Sequence, residues 1–143
     1  MPQTGHIHDR SRRGSALLEF ALLMSVLTSI LFGIIDMSRM FYTCSAMTGA
    51  AEAGVGYGLL SSANNSNFTG MQQAALDDAG ITGATAAATQ FCTCPTGSAV
   101  SCAGSCSSGS VRLYLQVITQ APFSSFYPGF PSSISGKAVI RAK

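Results

Sequence analysis

A single carboxylate interrupts an apolar stretch near the start of this 143-residue chain. Residues 15–18 are uncharged, Glu19 follows them, and the charge-free run from Phe20 to Ile35 comes next. A carboxylate near the centre of a membrane helix costs roughly 2.5–3.5 kcal/mol and less near the interface, so such residues are functional by default. The chemistry open to Glu19 is pairing with a cation. The alternative is an interfacial carboxylate whose side chain reaches the headgroups.

Four cysteines form a second group of residues that could form covalent bonds or bind a metal. Cys92 and Cys94 precede a turn signal at residues 95–98, and Cys102 and Cys106 follow it. Four cysteines permit three pairings. A hairpin turning near residue 98 predicts the nested disulfides Cys94–Cys102 and Cys92–Cys106, each stabilising a small domain by roughly 2–4 kcal/mol. The alternative is a zinc site with four cysteine ligands, which the C-x-C spacing and an exported domain disfavour.

Little in the sequence supports catalysis. Asp77 and Asp78 are adjacent and diverge on a helix, so they predict a solvated face rather than an acid–base pair. The two histidines, His6 and His8, lie at the start of the chain, and neither a P-loop nor a nucleophile elbow occurs in the sequence. We therefore expect no enzymatic activity, small-molecule substrate, cofactor or bound metal.

Composition narrows the class of protein. The chain is 47% hydrophobic and 10% charged, against about 25% charged in an average soluble domain, which excludes a disordered acidic or basic protein. A net charge of +2 without any Trp does not suggest a nucleic-acid partner. Arg10, Arg12 and Arg13 outweigh Asp9 before Ser15, and the charges beyond that point cancel. The net positive charge therefore lies in a short N-terminal arm.

The apolar segment is long enough to cross a bilayer. From Ser15 to Ile35 it would span about 30 Å as a helix, the thickness of the hydrocarbon core. It predicts a membrane-inserted helix, and the alternative is a buried core helix of a soluble fold. Because the arginines precede it, the N-terminus is expected in the cytoplasm and everything after Asp36 outside. The cysteine content agrees with an oxidising compartment.

Three kinds of N-terminal segment compete at this point. A cleaved secretory signal has a shorter apolar region and a small-residue exit, and no such exit follows Asp36. A lipoprotein signal does not fit the residues before Cys44. An uncleaved signal anchor fits the length and charge, but it does not account for Glu19.

The residues around Gly14 resemble the processing site of type IV pilin-like proteins. These proteins have a short basic leader, a glycine at the cut, and a glutamate five residues later in an apolar helix, as in RRGSALLEF here. The resemblance implies cleavage between Gly14 and Ser15 by a prepilin peptidase. It assigns Glu19 and Phe20 to peptidase recognition or subunit charge pairing. Glycine lets the backbone extend into a protease cleft, and Glu19 could neutralise the new ammonium of a neighbouring subunit.

Further motifs narrow the resemblance to the TadE-like family, pilin-like (pseudopilin) components of the tight-adherence, or Flp, pilus. The chain has the sequence FGIID from Phe32 to Asp36, then Arg39, Phe41 and Tyr42, and then small residues from 50 to 54. Family members often place arginines in that last stretch, and this chain has none. The resemblance covers about residues 13–58.

The partners that this resemblance implies are those of a pilus-assembly component. They are the prepilin peptidase, an inner-membrane assembly platform driven by an ATPase, sibling pilin-like subunits, membrane lipid and, as a further candidate, the major pilin. The resemblance implies a single-pass protein of the bacterial inner membrane that could enter a surface pilus.

After Asp36 the helix is expected to continue to about residue 56 and to end at Gly54–Gly58. Apolar residues at three- and four-residue spacing form one stripe, comprising Met37, Met40, Phe41, Cys44, Met47, Ala51 and Val55. We expect the stripe to pack on the protein's own domain, with close packing of neighbouring helices as the alternative. Cys44 is then a buried thiol, or else forms an intermolecular disulfide.

The remaining residues predict a small α+β domain. A polar linker, Ser61–Thr69, precedes a short helix, Gly70–Ala79, with Thr69 as its cap and Gly80 as its stop. Alternation predicts strands at 111–118 and 134–142, with a weaker third at 84–94. These strands are expected to form an antiparallel sheet on the second half of the long helix.

Between the two clear strands lies an aromatic segment, with Phe123, Phe126, Tyr127 and Phe130. These residues could cover the core beneath a loop or form a subunit contact.

The prediction as a whole is an α+β protein with a long N-terminal transmembrane helix. Residues 1–14 form a cleaved leader, 15–58 the transmembrane and stalk helix, and 59–143 an extracytoplasmic domain with two disulfides. The predicted function is that of a minor pilin or pseudopilin in the assembly and adherence of a tight-adherence pilus. The alternative is a signal-anchored envelope protein whose disulfide-bonded domain binds a ligand or a protein.

Overall fold

Two helices precede four strands in the computed structural model, which describes residues 8–142 and side chains from Gly14 to Ala142. His6 and most of the predicted leader lie outside these described residues. The elements are α1 (His8–Leu59), a 3-10 turn (Asn64–Ser66), α2 (Phe68–Ala79), β1 (Thr85–Thr93), β2 (Ala99–Val100), β3 (Arg112–Pro122) and β4 (Ser133–Arg141). The chain divides into two compact units, one ending at Ser38 and the other beginning at Arg39.

The strands form one antiparallel sheet in the order β2-β1-β3-β4. Strand β3 is central, with Gln120 opposite Thr85 of β1 and Thr119 opposite Gly136 of β4. Leu115 and Val117 of β3 are buried, as the alternating pattern predicts. The predicted α+β class is therefore confirmed, with a long N-terminal helix, a short helix and a small antiparallel sheet. The two-residue strand β2 was not predicted.

Both helices pack on the inner face of this sheet. The buried residues on that face belong to α1, α2 and the strands, and the largest fully buried side chains of the second unit are Met47, Met71, Leu115, Val117 and Thr119. Burying an apolar side chain of this size stabilises the fold by about 1.5–3 kcal/mol. The second half of α1 therefore belongs to the core of the second unit, as the sequence predicts.

The glycines at the end of α1 lie in its last two turns, and the helix ends at Leu59, one residue beyond the predicted Gly54–Gly58 end. They let the helix come close to its neighbours. A Cβ atom at Gly54 would lie 2.9 Å from the carbonyl oxygen of Met71 and 3.1 Å from Cγ1 of Val117. At Gly58 it would lie 2.6 Å from Cδ1 of Leu115. What these positions require is the absence of a side chain.

A direct polar contact joins α1 to the middle of the sheet. The Thr119 hydroxyl donates to the carbonyl oxygen of Met47 at 2.7 Å, and both residues are fully buried. Gly136, opposite Thr119 on β4, has no side chain to hold the helix away, because a Cβ there would overlap the Met47 backbone. Helix α1 therefore approaches the sheet closely at this point.

The predicted apolar stripe is right at Met40, which packs on the core, and from Met47 to Val55, but it is wrong at Met37, Phe41 and Cys44. Phe41 is 63% exposed, and the free thiol of Cys44 is exposed rather than buried. At 100° per residue, Cys44 lies about 60° and Phe41 about 120° around the helix from Met47. The buried face follows Met47, Ala51 and Gly54, so Cys44 lies at its flank and Phe41 beyond it.

Helix α2 begins two residues earlier than predicted. The Asn67 side-chain oxygen accepts from the backbone N–H of Gly70 at 3.0 Å, so Asn67 is the N-cap and the prediction of Thr69 is wrong. Gly80 ends the helix as predicted, with a left-handed φ of 57°. Asp77 is exposed and accepts from Gln73 at 2.8 Å, in agreement with a solvated face.

The disulfides are Cys92–Cys102 and Cys94–Cys106, so the predicted nested pairing is wrong. The turn closes earlier than expected, because the backbone N–H of Cys94 donates to the Ser98 carbonyl at 2.9 Å. Cys92 consequently lies opposite Val100, and β2 ends there. The chain beyond β2 then bends, which brings Cys102 to Cys92 with a Cα–Cα distance of 5.1 Å.

The pairing can be tested with two double variants that remove the same number of thiols. Cys92→Ser/Cys102→Ser removes one disulfide, so we expect a free energy of unfolding lower by roughly 2–4 kcal/mol and maleimide labelling at Cys44 alone. Cys92→Ser/Cys106→Ser splits both disulfides, so Cys94 and Cys102 should also label. Mass spectrometry of the unfolded, unreduced chains measures the labelling. Nested pairing would reverse the two results.

The glycines of α1 give a pair of substitutions with opposite expected effects. Gly54→Ala should lower the free energy of unfolding by about 1–3 kcal/mol, because the Met71 backbone cannot move aside as a side chain can. Gly56→Ala should raise it by about 0.5–1 kcal/mol, because no atom lies within 4 Å of its added methyl group. Urea unfolding followed by near-UV circular dichroism measures both. Equal effects of the two changes would contradict the close approach at Gly54.

Candidate functional site

The part of α1 that belongs to the first unit exposes apolar side chains on all sides. From Gly14 to Ser38, only Gly33 and Asp36 are less than fully exposed. Leu17, for example, is 71% exposed and Val26 60%. Within the described part of the chain, α1 is the one helix long and apolar enough to cross a membrane, and its most apolar window has a mean hydropathy of 2.2. A helix that is apolar around its whole circumference needs an apolar environment.

The hydroxyl groups in this segment are satisfied by the helix itself. Each donates to a backbone carbonyl three or four residues earlier, at 2.7–3.0 Å, for Ser25, Thr28, Ser29 and Ser38. In lipid, a polar group without an internal partner costs several kcal/mol. The hydroxyls are therefore compatible with a hydrocarbon environment and need no partner from another chain.

The predicted processing residues lie together on exposed α1. Ser15 and Glu19 are one turn apart and share a helix face, and Phe20 is 58% exposed. Gly14 is helical, and a Cβ atom there would meet nothing within 4 Å. Packing within the chain therefore does not require a glycine at this position. Glycine does weaken the helix by about 1 kcal/mol relative to alanine, which eases local unwinding.

Asp36 differs from every other residue of this segment, because it is completely buried. In the sequence it is the polar end of the apolar run and the last residue of the FGIID motif. A single charged residue after an apolar run gives no sign of its own burial.

Arg39 organises the aromatic segment between β3 and β4. Its guanidinium carbon lies 5.8 Å from the ring centroid of Phe123 and 5.6 Å from that of Phe126, within the range of a cation–π interaction. Phe123 is buried, whereas Phe126 is 67% exposed. The segment therefore divides: Phe123 covers the core, and Phe126 remains available at the surface. This long-range contact of Arg39 is not evident from the sequence.

The disulfide hairpin and the carboxylates do not form a metal centre. In the described residues, no group of three or more His, Cys, Asp or Glu side chains is arranged to hold a metal ion. The cysteines between 92 and 106 are all in disulfides, so the zinc alternative does not apply to them.

Comparison with known proteins gives one family. Residues 14–55 match the family model described as TadE-like protein. No curated protein and no solved structure is significantly similar to the chain. The match begins at the predicted cleavage residue and includes Glu19, Asp36 and Arg39, and it ends four residues before α1 does. The resemblance inferred from the sequence is therefore confirmed, and over residues 14–55 the chain is similar to the TadE-like family.

Proposed function

We propose that this chain is a minor pilin or pseudopilin of a tight-adherence (Flp) pilus, acting in pilus assembly and surface adherence. The observation that carries the proposal is the TadE-like match, which starts at Gly14 and continues along the exposed apolar helix. The family supports a Tad pilus-associated, pilin-like protein that interacts with other pilus components. It is a structural family, not an enzymatic one.

The long apolar helix fits a single-pass membrane anchor. We infer that the anchor lies in the bacterial inner membrane with its N-terminus in the cytoplasm, because the arginines precede the apolar run. The domain with two disulfides then lies in the oxidising extracytoplasmic space, where such bonds persist.

Processing would occur at the start of the TadE-like segment. A prepilin peptidase adds water across the bond between Gly14 and Ser15, leaving a carboxylate on Gly14 and an ammonium on Ser15. The bond lies in helical backbone, so the protease must unwind it locally, and Gly14 lowers the cost of doing so. The arginines and histidines of residues 1–14 leave with the leader.

The new ammonium gives Glu19 a partner. The two groups would meet in a bundle of apolar helices, where Coulomb attraction is stronger than in water and an unpaired charge is costly. Glu19 is the one charged residue between Ser15 and Ile35. Its pairing with the Ser15 ammonium of a neighbour can therefore fix the position of one helix along the next as subunits enter the assembly platform. Sibling pilin-like subunits, and the major pilin as a further candidate, are the proposed neighbours.

Substitution of Gly14 by Asp should block processing. A charged, branched side chain opposes entry of the backbone into the protease cleft, whereas the fold is expected to be unchanged, because nothing surrounds this position. The intact mass of the membrane-extracted chain, with and without a co-expressed prepilin peptidase, measures the cut. We expect wild type to begin at Ser15 only with the peptidase, and Gly14→Asp to stay full length.

Gly5→Asp is the matched control, because it makes the same change elsewhere in the leader and should still be cleaved. Normal maturation of Gly14→Asp would contradict the assigned cleavage site. A full-length wild-type chain in the presence of a peptidase that processes another substrate would favour the signal-anchored binding protein instead.

Glu19→Ala should leave membrane insertion intact and impair assembly. Leaving the Ser15 ammonium unpaired in an apolar bundle costs about 3–5 kcal/mol, so we expect at least a tenfold loss of surface pili, measured by shearing and immunoblotting. Glu52→Ala, which removes an exposed carboxylate from the second unit of α1, is the control. Wild-type piliation of the Glu19→Ala strain would refute the pairing role.

A further inference from the structure

Exposed aromatic side chains surround the beginning of the second unit. Phe41 is 63% and Tyr42 74% exposed on α1, and Phe126 is 67% and Tyr127 37% exposed on the segment between β3 and β4. The stack of Phe126 on the Arg39 guanidinium places that segment beside the same turn of α1. We call these four aromatic residues the collar.

The collar residues point in different directions from α1. At 100° per residue, Phe41 lies about 200° and Tyr42 about 300° around the helix from Arg39, whose side chain reaches Phe126. A neighbouring subunit would cover one side of a helix. Aromatic residues at one level on several sides match a surrounding medium, as in the aromatic belts of membrane proteins.

Chain length places this level close to the end of the apolar run. Arg39 and Tyr42 follow Ile35 by four and seven residues, which corresponds to about 6 and 10 Å of helix. The headgroup region beyond each face of the hydrocarbon core is about 5–8 Å thick, so Arg39 lies within it, and the Tyr42 side chain reaches it because helical side chains tilt towards the N-terminus. Phe and Tyr side chains with an arginine among them suit this mixed polar and apolar layer.

We propose that the collar lies in the lipid headgroup region on the extracytoplasmic side of the membrane and docks the domain onto the bilayer surface before assembly. The proposal rests on the membrane anchor proposed above and adds a second, peripheral membrane contact made by the folded domain. Arg39 holds Phe126 at the required level. Entry into a filament would then require the collar to leave the lipid, so membrane docking and assembly compete for the same residues.

The opposite end of β3 supplies a matched comparison site. Phe91 is 39% exposed and stacks on Tyr114, with ring centroids 5.2 Å apart. Tyr114 precedes Phe123 by nine residues, which is about 30 Å along a strand. Phe91 is therefore an exposed aromatic residue far from the collar on the same sheet.

The test uses single-tryptophan variants, since the chain has no Trp of its own. The full-length variants Phe126→Trp, Phe91→Trp and Leu27→Trp are reconstituted in vesicles of phosphatidylcholine and phosphatidylglycerol. In a second set, a mixture of phosphatidylcholines brominated near the headgroup end and near the methyl end of their acyl chains replaces the ordinary lipid, because Leu27 lies about 12 Å inside the core and Phe126 at its edge. We expect the bromines to lower the fluorescence of Leu27→Trp and Phe126→Trp about twofold and to leave Phe91→Trp unchanged.

Leu27→Trp reports on the apolar run, so it separates the two proposals. Quenching of Leu27→Trp without quenching of Phe126→Trp would overturn the docked collar and leave the anchor standing. Absence of quenching at Leu27→Trp would overturn the anchor, and the collar with it. A Phe126→Trp signal that ignores brominated lipid but shifts with the protein-to-lipid ratio would assign the collar to a second copy of the chain, against the proposal.

Discussion

The close approach of α1 to the sheet determines how the rest of the chain is arranged. Gly54 and Gly136 leave no side chain between the helix backbone and its neighbours, and Thr119 donates its hydroxyl to the Met47 carbonyl at that contact. A helix held this closely buries one face, and the two-layer core forms along it. Because Arg39 stacks on Phe126 and Gly58 lies against Leu115, the second unit of α1 runs antiparallel to β3. The disulfide hairpin therefore lies at the end of the domain away from Arg39.

One continuous helix consequently meets two different environments. Before Ser38 its apolar side chains are exposed on all sides, and from Met47 onward one face is buried by the protein itself. The apolar surface of α1 before Ser38 is too large to remain exposed to water, so it requires contact with lipid or with other apolar helices. A membrane anchor and a helix bundle both meet that requirement with the same residues. A bilayer and a bundle of apolar helices therefore make the same physical demand on this part of the helix.

Much of the fold could be predicted from local patterns. Alternation in Leu115 and Val117 predicted the central strand, because its period is that of a strand, and the length of the charge-free run predicted the long apolar helix. The errors concern positions whose structure depends on contacts with residues far away in the sequence. The residues at 54–58 mark the helix end to within one residue, but they do not reveal that Met71 and Val117 make the small size of Gly54 necessary for packing. The disulfide pairing depended on a turn that closes at Cys94 and Ser98, and counting residues could not locate that turn.

The same distinction applies to the candidate site. Gly14, Ser15, Glu19 and Phe20 are consecutive in one helix, so their arrangement follows from the sequence alone. The contact between Arg39 and Phe126 joins residues far apart in the chain, and only folding brings them together. The TadE-like segment ends at residue 55, so it includes Arg39 but not the aromatic residues on which Arg39 stacks. In this chain, Arg39 is therefore the point at which the matched helix contacts a segment that the family match does not include.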